Sequence, residues 1–329
     1  MSPSEPTITS VQRITEVERV TALGAGLIGR SWTALFLAAG KQVTSYDPDP
    51  SAKARTRETV EQAWPVLTTL GLTTPQDTDP MARLTVVADA REAVDGAQFV
   101  QESIPERLPL KHDLYAAIEP VLAEDVVVAS SASGLTLTEL QAGWTDPARI
   151  VLGHPFNPPH LIPLVEVMGN ARTAPHAVPT ARAFYESVGK VTIEVRREVP
   201  GHVANRLQAA LWREAIHLIN EGVATVQDVD TAVAAGPGAR WAVMGPTTLF
   251  HLGGDEGGLA DFCARYADSF NRWWDDLGTP HLDAATIDRL VTGFGSTTPQ
   301  EFWALAAHRD ALLTAVIAAT RPDDASSAG

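Results

Sequence analysis

The stretch Gly24, Ala25, Gly26, Leu27, Ile28, Gly29 constrains the fold of this chain more than any other. It is a G-x-G-x-x-G that follows an apolar run from Val20 to Leu23 and opens an apolar pattern of helical period. Asp47 stands at the end of the next apolar run, 42–46. A strand before the glycines, a helix after them and an acid about 20 residues on are what a dinucleotide-binding βαβ unit requires. Gly24 permits the tight turn, Gly26 lets the backbone approach a pyrophosphate, and Gly29 lets the helix pack closely on the strand. Leu27 and Ile28 complete the cofactor-binding set at a helix N-terminus, whose free N–H groups and positive dipole end suit phosphates. A glycine-rich turn without a ligand is the alternative, and the full context weighs against it.

Asp47 also selects the cofactor. A carboxylate there accepts hydrogen bonds from the adenine-ribose hydroxyls and repels a 2′-phosphate. No Arg or Lys follows at once; the chain reads Asp47, Pro48, Asp49, Pro50. NAD is therefore expected rather than NADP. The same Asp-Pro pair also forms a turn, which does not compete with that role.

A chain of 329 residues can hold two domains, each with its own core. No uninterrupted run reaches the ~18 apolar residues of a membrane span, so no membrane partner is expected. The first ten residues are polar and lack the basic-then-apolar layout of a signal peptide. The single cysteine, Cys263, excludes an internal disulfide and fits a reducing compartment, so a cytoplasmic location is expected. A net charge of −15 argues against a nucleic-acid surface.

The first half alternates β-rich runs with helical patterns, which predicts a parallel sheet with helices on its faces. Strands are expected at 19–23, 42–46, 84–87, 98–102, 125–130, 149–153, 164–168 and 190–195. Helices are expected at 27–39, 51–70, 106–122 and 175–188, with Pro65 kinking or dividing the second. After Pro200 and Gly201 the character changes. Val203, Leu207, Leu211, Ala215 and Leu218 recur at helical spacing, so 201–221 reads as a long amphipathic helix. A second stripe runs through Leu259, Phe262, Cys263, Tyr266, Phe270, Trp273, Trp274 and Leu277. The expected architecture is α/β: a Rossmann-type NAD-binding domain over 1–198, an all-helical substrate and dimerisation domain over 199–322, and a disordered tail over 323–329.

The segment from Gly153 to His160 closes a strand and is stiff with proline. Loops at the carboxyl ends of parallel strands are where open α/β sheets bind ligands. His154 is the candidate acid/base, since histidine alone titrates near neutral pH without help. Glu166, in the next strand, can fold back beside it, orient the imidazole and stabilise its protonated form. A lone histidine with a structural role is the alternative. Residues 130–134 (Ser130, Ser131, Ala132, Ser133, Gly134) follow another strand; they either approach the nicotinamide and a substrate oxygen or cap a helix. Asn205, in the first turn of the long helix, either faces an interdomain cleft or faces solvent.

Taken together these segments resemble the L-3-hydroxyacyl-CoA dehydrogenase superfamily over nearly the whole chain. The matches lie at 24–29, 130–135, 154–158, 163–166, 200–206 and 238–241, and the branch containing lambda-crystallin (L-gulonate 3-dehydrogenase) and L-carnitine dehydrogenase is the most similar. The resemblance implies that His154 is the catalytic histidine and Glu166 its partner. It implies that Ser133 and Asn205 contact the substrate oxygen, that Glu102 contacts the cofactor, and that Asn157 is an active-site asparagine. His154 would take the proton of the 3-hydroxyl as hydride leaves C3 for the nicotinamide, with Ser133 and Asn205 holding the oxygen in line.

Two departures matter. Ser131 occupies a position that is Asn or Ser in the family. Arg240 appears before Met244, Gly245 and Pro246, where acyl-CoA enzymes lack a cation, which puts a CoA thioester in doubt. Arg240 is a candidate anchor for a free carboxylate, with Trp241 beside it in the substrate set; an ion pair is the alternative. Trp212, Trp241, Trp273 and Trp274 can cage a quaternary ammonium or simply pack a core or an interface. Cys263 is expected to be a buried, inert thiol.

The expected partner is thus a small 3-hydroxy acid, carnitine-like or gulonate-like, with a 3-hydroxyacyl-CoA as the alternative. Residues 210–215 and 220–224 look like carnitine dehydrogenases; 260–266 look like lambda-crystallin. A relative of 6-phosphogluconate or nucleotide-sugar dehydrogenases is disfavoured, because no Lys lies beyond Lys190 to serve catalysis. A non-catalytic NAD-binding structural protein is the reading from another class. The apolar stripes of the helical half, and the resemblance, imply a homodimer.

Overall fold

The computed structural model describes residues 17–74 and 79–321. The expected disordered tail at 323–329 lies outside the described residues. Two compact units make up the chain and divide between Val203 and Ala204, a few residues past position 198.

The first unit is built on one sheet. Its strands are β1 (Arg19–Leu23), β2 (Gln42–Tyr46), β3 (Leu84–Val87), β4 (Phe99–Glu102), β5 (Val127–Ser130), β6 (Ile150–Pro155), β7 (Leu164–Met168) and β8 (Val191–Glu194). They lie in the order β3-β2-β1-β4-β5-β6-β7-β8. The chain runs outward from β1 through β2 to β3, then returns to the other side of β1 with β4. The gap between β1 and β4 is therefore a topological switch point, where such sheets bind ligands.

The sheet is mixed, not all-parallel as expected. β7 runs antiparallel to β6, with His154 opposite Glu166, while β8 returns parallel to β7. The cause is linker length. Residues 156–163 are too few to carry the helical crossover that a parallel neighbour needs.

The helices of this unit are α1 (Leu27–Ala38), α2 (Ala52–Thr69), α3 (Ala90–Val94), α4 (Leu108–Ile118), α5 (Leu137–Gln141) and α6 (Ala177–Ser187). Central strands are buried on both faces, so their sequences are continuous apolar runs rather than alternations. On β4, Phe99 joins Trp32, Phe36 and Phe184 on one face, while Val100 joins Tyr115, Ile118 and Leu140 on the other. Pro65 does not divide α2, which runs unbroken over 18 residues. One missing backbone bond is tolerated where Val60, Ala63 and Leu67 hold the helix to the core. The cap of α5 is Thr136, in a reciprocal capping box with Glu139, not one of the serines upstream.

The second unit is all-helical: α7 (Ala204–Asn220), α8 (Val226–Val233), α9 (Ala239–Trp241), α10 (Pro246–Leu252), α11 (Gly258–Asp276), α12 (Ala284–Phe294) and α13 (Pro299–Thr320). α7 starts three residues later than its apolar stripe suggests. Gly201 and His202 both have positive φ, +73° and +50°, and consecutive left-handed residues end any right-handed helix. In α11 the predicted stripe forms a row of rings, with Phe262 stacked on Phe250 and Phe270 packed against both Trp273 and Trp274. Cys263 is exposed on that helix, not buried, as are Tyr266, Trp273 and Trp274 of the same stripe, because little of the first unit's kind of core forms around this helix. α13 is long and apolar enough to cross a membrane by length and composition, and only 6% of its most apolar stretch is buried in this unit. Glu301, Arg309 and Asp310 interrupt the apolar run within it.

Candidate active site

The turn after β1 is shaped by its glycines. Gly24 has φ +95°, a conformation that penalises any Cβ, and a Cβ there would also lie 2.8 Å from the Ser103 carbonyl oxygen. A Cβ on Gly29 would collide with the Gly24 carbonyl, so close helix–turn packing requires glycine at that position too. Gly26 differs: a Cβ there meets nothing within 4 Å. No contact inside the protein demands Gly26, which is what a backbone reserved for close approach by a pyrophosphate looks like. No side chain caps α1, whose first residues are Leu27 and Ile28. Its N-terminal N–H groups therefore suit phosphate oxygens.

Asp47 lies just past β2. Its two oxygens each accept one backbone N–H at 2.9 Å, from Ala25 and from Asp49. This pins the acid to the glycine turn and leaves lone pairs on both oxygens for ribose hydroxyls. Glycine turn and acid together fit NAD.

Glu102 requires a correction. Its side chain is fully buried, and both oxygens are occupied inside the protein. Lys111 Nζ donates at 2.5 Å and the Ile104 N–H at 2.8 Å to one; Tyr115 and Ser130 hydroxyls donate to the other. A carboxylate so enclosed braces the ends of β4 and β5 and cannot reach a cofactor. The exposed acid of this segment is Glu106, which sequence reasoning missed. It accepts N–H groups from Ser133, Gly134 and Leu135 and the Ser133 hydroxyl. Partial burial raises its pKa, but those donors outweigh burial and hold the carboxyl below its ordinary value.

The serine segment divides by direction. Ser130 bonds inward to Glu102. Ser131 accepts from Gln101 and Trp32 and contacts Ser103, so this position is structural. Ser133, by contrast, sits on the loop with Glu106 and is partly exposed.

His154 and Glu166 meet as cross-strand neighbours. His154 Nδ1 and Glu166 Oε2 are 2.8 Å apart, with His154 6% exposed and Glu166 fully buried. Glu166 Oε1 accepts the Val203 N–H at 2.8 Å. A buried carboxylate with donors on both oxygens is fixed in place and in turn fixes the imidazole, leaving Nε2 for proton transfer. The ring of His202 lies 5.0 Å from that of His154. His202 belongs to the 200–206 motif, but its residue type alone gives no sign of this proximity. Burial, then the neighbouring His154, hold its pKa below the ordinary histidine value. Asn157 follows on the same loop, exposed, at a cis bond to Pro158.

In the helical unit, Asn205 lies in the first turn of α7, while Arg240 and Trp241 are exposed on α9. The four candidate cage tryptophans differ in their ring contacts. Trp273 and Trp274 pack on Phe270, and neither Trp212 nor Trp241 stacks on another ring among the described residues. Trp212 instead lines a cavity of about 590 Å³ with Leu211, Val229, Asp230 and Val233.

Comparison with known proteins identifies the family. Residues 19–199 match the 3-hydroxyacyl-CoA dehydrogenase NAD-binding domain, and 201–292 match the C-terminal domain of the same family. An L-carnitine dehydrogenase of Streptomyces coelicolor is 49% identical, covering 92% of this chain and 95% of its own length. One from Streptomyces griseus is 50% identical over 84% of this chain and 82% of its own. A solved structure of 5-formyl-3-hydroxy-2-methylpyridine 4-carboxylic acid 5-dehydrogenase, an NAD-dependent dismutase, superposes with a TM-score of 0.81 at 34% identity, covering 93% of this chain and 100% of that one. The chain belongs to the 3-hydroxyacyl-CoA dehydrogenase family and is an NAD-dependent oxidoreductase acting on the CH–OH group of a 3-hydroxy acid.

Proposed function

We propose that the substrate is a small free 3-hydroxy acid, L-carnitine or a close analogue, oxidised at C3 by way of His154 and Glu166. The observation that carries the chemistry is the buried pair at 2.8 Å where the end of β6 lies against the middle of β7. The relatives named L-carnitine dehydrogenase favour carnitine over gulonate and over an acyl-CoA.

NAD, bound at the turn after β1, supplies the hydride acceptor. The Nε2 of His154 takes the 3-hydroxyl proton. Glu166 faces Nδ1 and offsets the positive charge that the ring gains. Val203 holds Glu166 from the other side, so the carboxylate does not have to reorganise during the step. Ser133 and Asn205 orient the substrate oxygen, and Asn157 lines the approach. Arg240 meets the free carboxylate with its planar fork, a contact that a CoA ester does not offer at that end.

A second copy of the chain covers the helical unit. Trp303, Phe302 and Leu312 are exposed on α13, a helix apolar around most of its circumference, and such helices are ordinarily covered. A single mass measurement by light scattering separates dimer from monomer, and vesicle co-sedimentation tests the membrane alternative for α13.

The substrate experiment follows NADH absorbance with L-carnitine, D-carnitine, L-gulonate, 3-hydroxybutyrate and 3-hydroxybutyryl-CoA. Turnover of L-carnitine well above the others supports the reading. Turnover confined to the CoA ester overturns it.

A further inference from the structure

The linker between the two strands of the His154–Glu166 pair, residues 156–163, contains Pro158, Pro159 and Pro163. Prolines bring carbonyls but no N–H groups, and the Leu161 and Ile162 N–H groups both go to the Pro158 carbonyl, so the linker cannot satisfy all of its own acceptors. Lys190, just before β8, makes up part of the difference. Its Nζ donates to the Pro159 carbonyl at 2.6 Å and to the Ile162 carbonyl at 2.5 Å, and lies 5.1 Å over the ring of Trp32. The residue is 6% exposed, and among the described residues no carboxylate pairs with it.

An ammonium buried without a counter-charge is a costly way to fill space. Burial pushes the Lys190 pKa down to about 7. The two carbonyls and the ring face offset part of that cost. The neutral amine still has two N–H groups for the two carbonyls, so the contacts survive loss of the proton.

The linker is tied a second time by His160. Its ring Nδ1 lies 2.8 Å from the Ser31 hydroxyl oxygen, which also accepts the His160 backbone N–H. Both ties end on neighbouring residues of α1, Ser31 and Trp32, on the helix whose first turn suits the cofactor phosphates. Trp32 in turn donates to Ser131.

We infer that Lys190 is a positioning residue for the dehydrogenase reaction: it fastens the linker that carries Asn157 and joins His154 to Glu166 against the cofactor helix. This rests on the reading of His154 and Glu166 as the reacting pair. Lys190 touches no reacting atom in that scheme and acts through the linker.

The test is Lys190→Met, which keeps the length and removes every donor. Hydrogen exchange is measured over residues 156–162, with NAD affinity, kcat and KM on the intact chain. The expected result is faster exchange confined to the linker, NAD affinity within about threefold of the parent, and kcat reduced about tenfold or more with a smaller change in KM. Against the chance that Lys190→Met fails to fold, Lys190→Cys is made with Cys263→Ser, alkylated in denaturant and refolded as two forms. Aminoethylation restores an ammonium at nearly the lysine length; propylation supplies the same length without donors. Protected exchange and recovered kcat in the aminoethyl form alone support the anchor. Linker exchange equal to the parent in Lys190→Met, or equal in the two alkylated forms, overturns it. The exchange measurement needs no substrate, so it judges Lys190 even where the proposed substrate fails, and parent turnover judges the substrate separately.

Discussion

The two units of this chain solve burial differently. In the first, the strands pack both faces under helices, and Trp32, Phe36, Phe99, Phe184 and Tyr185 are wholly enclosed. In the second, Trp273, Trp274 and Trp303 are 57%, 63% and 69% exposed, and among the described residues only Ile216 and Val229 stand out as buried apolar side chains. The first unit closes its own core, places the nucleotide turn at the end of β1 and pairs His154 near the end of β6 with Glu166 in the middle of β7. The second presents apolar helices that one copy leaves uncovered. A unit that closes its own core is thus joined to one that leaves much of its apolar surface exposed.

The sharpest way to break that contrast is within the first unit. His154→Ala is expected to lower kcat by about 10³-fold or more, the scale of a lost general base working against fixed partners. NAD affinity, measured by titration, should not move, because the glycine turn and Asp47 make no hydrogen bond to His154. A parallel loss of NAD binding would mean that the two sites are not separable.

Next in size is a test of the proposed carboxylate anchor in the second unit. Arg240→Ala should raise KM for a free 3-hydroxy acid by the equivalent of about 2–4 kcal/mol, with lysine rescuing only part. A 3-hydroxyacyl-CoA assayed alongside should be indifferent. An unchanged KM for the free acid removes Arg240 as the anchor.

Sheet and helices part again in the third prediction. Trp303→Glu with Leu312→Glu should turn a dimer into a monomer by light scattering while the first unit still binds NAD. If the parent is already a monomer at micromolar concentration, the exposed face of α13 needs another explanation.

The last contrast is a stability slope within the first unit. Lys190 has a folded pKa of about 7, lowered by burial from the ordinary lysine value of 10.5. Between those values the unfolded chain holds the proton and the folded chain releases it. The parent therefore gains stability as pH rises through that window, and the penalty of a buried ammonium is largest below it. Lys190→Met lacks the slope. Its stability relative to the parent should be greatest below pH 7 and decline towards pH 10, as followed by denaturant melts. A difference that does not vary with pH would show that Lys190 is not buried as described.

Much of this molecule is legible in its sequence. The bounds of β1, β2, β3 and β7 match the predicted runs residue for residue; Gly24, Asp47 and Pro48, and Gly169 and Asn170 stop β1, β2 and β7 at once. The meeting of His154 with Glu166 follows from two strands and a short linker. The antiparallel sense of β7 carries a readable signal in that same linker length. Other features have none. Glu102 and Glu106 look alike in sequence; only Lys111, Tyr115 and Ser130, brought from other parts of the chain, decide that the first is enclosed. The late start of α7 depends on the left-handed backbone of His202, a residue type that does not announce it. The exposure of Cys263 depends on the whole stripe being left largely uncovered, which an apolar periodicity does not reveal.

The proposed dehydrogenation is tested most directly by NADH formation in the parent and in His154→Ala, each supplied with L-carnitine and with D-carnitine at saturating NAD. Turnover of the L-isomer by the parent is expected, with little of the D-isomer, and none above background in the variant while NAD remains bound. Equal rates for parent and variant, or a parent that reduces NAD only with a CoA ester, would contradict it.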